Sequence, residues 1–152
     1  MTSTIHELRA LGLAELEATY AAERHFAIPE GRFRGQVLAR LDSAGAHRPM
    51  SRMIIGGFRA VGFGVDFTSC RWYFVHPRLQ AGRFRPEVHA SRWRDTQVIG
   101  LHYQDSRLPG PIRAALYDEV KPLGDSICLG IGGLNAERGE GDLFFFALER
   151  EA

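Results

Sequence analysis

The sequence predicts a mainly β fold, a single antiparallel up-and-down β-barrel carrying an N-terminal α-helix. Three observations carry that expectation. Several short segments of alternating apolar and polar residues follow one another at roughly regular spacing. Only one long helical pattern occurs in the 152 residues, so a parallel sheet with crossover helices is disfavoured. The bookends, Gly31-Arg32-Phe33-Arg34-Gly35 and Phe144-Phe145-Phe146-Ala147-Leu148-Glu149-Arg150, read as a first and a last strand that close on each other.

The elements follow in order. Thr4 caps a helix over about 5–24, and Glu7 three positions on completes a capping box. Leu8, Leu11, Leu16 and Tyr20 give that helix an apolar face. Pro29 ends it. Gly31–Leu41 reads as a strand with Phe33, Val37 and Leu41 on one face. Residues 42–64 are read either as a short helix with a Gly-rich turn or as a lid over a barrel mouth. Val65–Val75, Arg83–Trp93 and Thr96–Gln104 are predicted as three strands, with Pro77–Gly82 among the connections. Pro109-Gly110-Pro111 breaks the chain, and Ile112–Val120 is read as one or two helical turns. Ser126–Leu134 is a glycine-spaced strand, and Asn135–Gly141 a polar turn into the last strand. No linker divides the chain, which is read as one domain over 1–152, with 1–30 as helix and lead-in and 31–152 as barrel.

Composition narrows the function classes. A formal net charge of +1 and arginines interleaved with acids leave no basic stripe, which argues against a nucleic-acid partner. No apolar run approaches the roughly 18 residues of a spanning helix. The first residues, with Glu7 and Arg9, lack the apolar core of a secretory signal. Cys70 and Cys128, both in apolar runs, read as reduced core residues, so a cytoplasmic location is expected. A homodimer is compatible with this composition.

Registering the three central strands about Leu79 and Arg94 sets Trp72 opposite Pro86 and Pro86 opposite His102. Cross-strand neighbours share a face. The more apolar face then holds Asp66, Cys70, Trp72, Phe74, Phe84, Val88, Arg92, Val98, His102 and Gln104 and is expected to point inward. His102 beside Trp72 suits acid–base help or binding of a ligand carbonyl near neutral pH. Asp66 and Arg92 suit either a catalytic pair or an ion pair closing a barrel end. Cys70, Trp72, Phe74, Phe84, Val88, Val98 and Gln104 are the expected ligand wall. The plainer reading makes His102 a hydrogen-bonded barrel histidine and Trp72 core packing.

Other patterns carry less. His76, His89 and His102 recur every thirteen residues, but this register puts His89 on the face opposite His102, so no metal site is expected. Gly130-Ile131-Gly132-Gly133 lacks the Lys-Ser/Thr of a phosphate loop and reads as a strand bending at a barrel corner. Tyr117-Asp118-Glu119 with Lys121 suits acid–base chemistry at a barrel rim, yet its order fits a solvated helical turn better, which is the preferred reading.

Gly31-Arg32-Phe33-Arg34-Gly35 resembles the Gly-x-Trp-x-Gly opening strand of small bacterial lipocalin-like (calycin) proteins, with Phe33 in place of Trp. Asp118–Asp125, Leu129-Gly130 and Phe146–Arg150 are similar to the later strands of that family. The resemblance implies a calyx for a small apolar or amphipathic molecule, and such superfamilies include carriers, haem proteins and cofactor-free enzymes. Within that range the inward His102 with Trp72 and Gln104, and the separate Asp66–Arg92 pair, favour a cofactor-free cyclase, isomerase or dehydratase as the expected function. The alternatives are a carrier of a fatty-acid-, terpenoid- or polyketide-like ligand, and a haem binder using His102 or His76.

Overall fold

The structure is a computed structural model and describes residues 4–41, 48–74, 76–134 and 141–152. Residues 42–47, Val75 and most of the expected turn at 135–141 lie outside the described residues. The expected fold is found: nine antiparallel strands form a nearly closed barrel, with helix at its N-terminal side.

The predicted helix over 5–24 is two helices, α1 (Ile5–Ala10) and α2 (Leu13–Ala22). The Thr4–Glu7 capping box starts α1. The chain breaks at Leu11-Gly12, and the Gly12 amide donates to the Glu15 carboxylate at 2.8 Å, which starts α2. Strand β1 (Arg32–Arg40) follows, then α3 (Arg48–Val61), β2 (Phe63–Asp66), β3 (Arg71–Phe74), β4 (His76–Arg83), β5 (Arg85–Ala90) and β6 (Gln97–His102). Helix α4 (Gly110–Ala115) precedes β7 (Leu116–Pro122), β8 (Ile127–Leu134) and β9 (Asp142–Arg150).

The strands are ordered β4-β3-β2-β1-β9-β8-β7-β6-β5. The bookends do pair: Phe33 lies opposite Arg150 and Val37 opposite Phe146. The two edge strands, β4 and β5, are consecutive, with Phe84 alone between them. One bent stretch of chain thus pairs with β3 along its first half and with β6 along its second, which brings the barrel round to near closure.

Three predicted elements are corrected. The predicted strand over 65–75 is, in its described residues, a hairpin of β2 and β3, because the Asp66 carboxylate accepts from the amides of Thr68 and Ser69, at 2.9 and 3.2 Å, and turns the chain. Pro77–Gly82 is no connection but part of β4. Residues 116–120 belong to β7 rather than to a helix. In 42–64, the described residues form α3 and the start of β2; Ile54, Ile55 and Phe58 of α3 pack on the barrel interior, and Phe58 meets Phe63, Phe74 and Phe144 at ring separations of 4.9–6.0 Å.

Two apolar layers sandwich the wall. The inner one holds Phe33, Val37, Phe63, Val65, Trp72, Phe84, Ile99, Leu101, Tyr103, Val120, Phe144, Phe146 and Leu148. The outer one packs Leu16 and Tyr20 of α2 on Trp93, Val98, Tyr117, Leu129, Ile131 and Phe145. Leu8 of α1 packs on Ile127 and Ala147. Strands β7, β8 and β9 are therefore buried on both faces. Leu41 joins the outer layer although Val37 is inner, because a bulge between Val37 and Ala39 shifts the alternation. Among the described residues, no helix is long and apolar enough to cross a membrane.

Candidate functional site

The interior polar group is a line of three side chains. Trp72 on β3 donates its indole N–H to the Tyr103 hydroxyl, and that hydroxyl donates to Asp118 Oδ2. Tyr103 follows β6 and Asp118 lies on the neighbouring β7, so it is the bond from Trp72 on β3 to Tyr103 that crosses the interior between non-adjacent strands. Phe63 and Phe146 flank Trp72 at ring distances of 5.5 and 5.9 Å, and Phe84 meets Tyr103 at 6.3 Å. Aromatic rings thus surround the Trp72–Tyr103 pair on which this carboxyl is held.

That setting decides its protonation. Burial pushes the Asp118 carboxyl from an ordinary 3.8 up to about 7, against the opposing hydrogen bonds from Tyr103 and the Gly133 backbone. Burial likewise raises the Tyr103 phenol well above its usual range, with the neighbouring Asp118 charge adding to the effect. The phenol thus stays a donor while the carboxyl exchanges its proton near neutrality, the range in which a general acid–base group is most effective. Glycine makes the space: a Cβ at Gly132 would lie 2.6 Å from the Phe144 ring and 2.9 Å from Asp118 Oδ1.

The next residue along β7 faces the other way and has a different role. Glu119 is fully buried beneath α2 and accepts from the Tyr20 and Tyr117 hydroxyls, both at 2.9 Å, from the Ser91 hydroxyl and from the Arg92 amide at 3.3 Å. Its lone pairs are occupied by the protein. Two residues on, Lys121 donates to the carbonyls of Tyr20 and Glu23 at 2.7 and 3.1 Å, and to Thr96. These two charges fasten α2 to the wall. Arg94 adds a bidentate pair with Glu17 at 2.7 and 2.8 Å and reaches Asp142 at 3.0 Å.

The residues singled out from the sequence divide. Trp72, Phe74 and Phe84 belong to the interior packing as expected, and Cys70 packs at its edge with φ +54°. His102, Val98 and Gln104 do not face inward. Strand β6 is registered one residue away from the expected pairing, with Pro86 opposite Leu101 and Arg85 opposite His102. A one-residue slip exchanges the faces of a strand, so Ile99, Leu101 and Tyr103 point inward. Val98 is buried in the outer layer, Gln104 is exposed, and Val88 is 45% exposed.

Asp66 and Arg92 are not paired with each other. Asp66 holds the turn after β2, while the Arg92 guanidinium lies 4.2 Å from the Tyr117 ring centroid. The slip also brings His89 to the same face as His102, contrary to expectation, with their Nε2 atoms 2.8 Å apart so that one ring donates to the other. Gly100 between them permits this, since a Cβ there would stand 2.1 Å from His89 Nε2. Burial, then His89 and Arg92, lower the His102 pKa. Among the described residues, no three His, Cys, Asp or Glu side chains gather as metal ligands.

Sequence reasoning set Asp118 on a solvated turn and left Tyr103 out of the inward-facing set. The glycine spacing of β8 was the available signal, because bare positions in a strand mark close approach by a neighbour's side chain.

No family model matches the chain. No curated protein matches it either. A solved structure of a protein from Thermomonospora curvata is similar, with a TM-score of 0.54 at 15% identity over 93% of this chain and 89% of that one. At that identity the likeness shows the fold alone, and what the two chains share is the barrel.

Proposed function

We propose that the barrel interior binds a small apolar or amphipathic molecule and that the protein is a cofactor-free enzyme of the cyclase, isomerase or dehydratase type, with Asp118 as its acid–base group. The observation that carries this reading is a protonatable carboxyl titrating near 7 within an aromatic lining, held by Tyr103. The lining would fold a flexible substrate into a reactive conformer, so that ordering entropy is met by binding rather than at the transition state. Protonated Asp118 would deliver a proton to a hydroxyl, carbonyl or alkene. As carboxylate it would take one from the adjacent carbon, a sequence that nets an isomerisation, or a dehydration where water leaves. Trp72, Phe74, Phe84 and Cys70 are the ligand wall in this reading. The acid–base role expected of His102 passes to Asp118, because the β6 register turns His102 away from the barrel interior; His76, the other haem ligand considered, is exposed. The lipocalin-like resemblance supports the same reading. We take residues 1–152 to act as one domain in the cytoplasm.

The test is native mass spectrometry of the purified protein, then incubation with a panel of terpenoid, polyketide and fatty-acid-like compounds. The enzyme reading expects a bound compound to be released as an isomer or with loss of water. Asp118→Asn should still bind it and leave it unconverted. A ligand that binds and returns chemically unchanged from the wild type would favour a carrier instead, the reading that the largely apolar inner layer supports.

A further inference from the structure

We propose that the seam between β4 and the segment after β6 holds the head group of an anionic amphipath, a molecule with a carboxylate or phosphate head whose apolar body enters the barrel. This rests on the interior-binding reading above and adds the charge of the ligand and its place of entry.

The seam follows from the topology. Strand β4 pairs with β3 and strand β5 with β6, so among the described residues the outer edge of β4 has no strand partner. A cleft of about 580 Å³ lies there, lined by Arg71, Gln80, Gly82 and Arg83 on one side and Asp105, Arg107 and Leu108 on the other. That volume is within the range of small-molecule sites, roughly 300–1,000 Å³.

Its charge is one-sided, with three guanidinium groups facing one carboxylate. Arg71 and Arg83 stand directly opposite each other in the β3–β4 register, and like charges so placed destabilise a sheet. Arg71 donates to Gln80 at 3.2 Å, and among the described residues no ion pair holds Arg71, Arg83 or Arg107. An arrangement that costs the empty protein stability is expected where an anion offsets it. Guanidinium groups also present the paired donors that carboxylates and phosphates accept.

A single glycine separates the cleft from the interior line. Gly82 is the extra residue of a β-bulge, skipped between the Arg71–Arg83 and Trp72–Ala81 pairs, with φ +54°. A Cβ there would lie 3.5 Å from the Tyr103 ring and 3.9 Å from Leu108. Tyr103, the buried tyrosine whose hydroxyl holds Asp118, therefore lies directly behind the Gly82 backbone that lines the cleft. Ser106, in the same 103–108 segment, has a buried hydroxyl with no hydrogen-bond partner. A head in the cleft puts the body of its molecule against Tyr103 and the interior line.

The test compares decanoate, decyl phosphate, decanol and inorganic phosphate. Binding is read by calorimetry and by tryptophan fluorescence in Trp93→Phe, where Trp72 is the remaining indole. The proposal expects decanoate or decyl phosphate to bind at least tenfold tighter than decanol, to weaken with salt, and to lose that advantage in Arg71→Gln/Arg83→Gln and in Arg107→Gln. Which of the two anions binds tighter identifies the head. The paired arginine variant should also melt no lower than the wild type. Anion affinity unchanged in both arginine variants would overturn the seam site and leave interior binding standing. No response of Trp72 to decanoate, decyl phosphate or decanol would overturn interior binding, and this proposal with it. Inorganic phosphate binding as tightly as decyl phosphate would show an anion site unconnected to the barrel and overturn the amphipath.

Discussion

Replacing Asp118 by Asn removes a titratable group from the barrel interior while keeping its outline and its capacity to accept from Tyr103. The unfolded chain ionises this carboxyl near 3.8, whereas the folded protein keeps its proton up to about 7. Across that interval the native state binds the extra proton, so stability falls as pH rises, by about 1.4 kcal/mol per pH unit. The folded-state advantage is full below 3.8 and gone above about 7, a difference of about 4 kcal/mol over the window. In a chain of 152 residues this corresponds to about 8–16 °C in melting temperature. Calorimetric melts of wild type and Asp118→Asn from about pH 4 to about pH 8 measure it, because the histidines common to both cancel in the difference. The variant should gain on the wild type steadily across the series. Parallel profiles would refute a neutral interior carboxyl, and with it the acid–base role.

Gly130→Ala should destabilise the protein by about 3 kcal/mol or more in denaturant titration, because the new methyl would stand 2.4 Å from the Phe146 ring and 2.8 Å from the Glu119 carbonyl oxygen. Lys121→Met removes the donor that serves two helix-end carbonyls, which costs about 1–3 kcal/mol for each group left unpaired; hydrogen exchange should show α2 protected less while β8 is unchanged. His102→Gln should flatten the loss of stability just below pH 6.5, since a folded-state pKa below the ordinary value makes the native protein resist a proton that the unfolded chain accepts. That same variant should alter interior ligand affinity less than twofold, because the ring lies beyond the wall.

Much of the frame could be read from the residues, and what escaped has physical causes. The Thr4–Glu7 cap, the β1 strand and the phenylalanine-rich β9 carry local signals that tertiary contacts do not override. The helical pattern across Leu11-Gly12 is continuous in hydrophobicity and broken only in backbone, so one helix was expected where two form. Face assignment in β6 depended on a single residue of register, and hairpin geometry sets register through the 91–96 turn, where Ser91 and Thr96 bond. The misreading of Tyr117-Asp118-Glu119 has a different origin. Alternation identifies a strand only when one face meets water, and β7 lies between the interior and the N-terminal helices. Its acids are buried on both sides, so adjacent charges that suggest a solvated turn instead serve two separate environments.

The meeting of β1 with β9 sets the order in which this wall can be assembled. The partners come from opposite ends of the sequence, so their ladder forms only after a large loss of chain freedom, and contacts this distant slow folding. Until then β1 and β9 each present an unguarded hydrogen-bonding margin, with the rings of Phe33 and Phe63 uncovered beside one of them. A nascent chain in that condition invites self-association. Variants that weaken the β1–β9 join should therefore show their harm first as lost soluble yield, before any change in what the finished molecule binds.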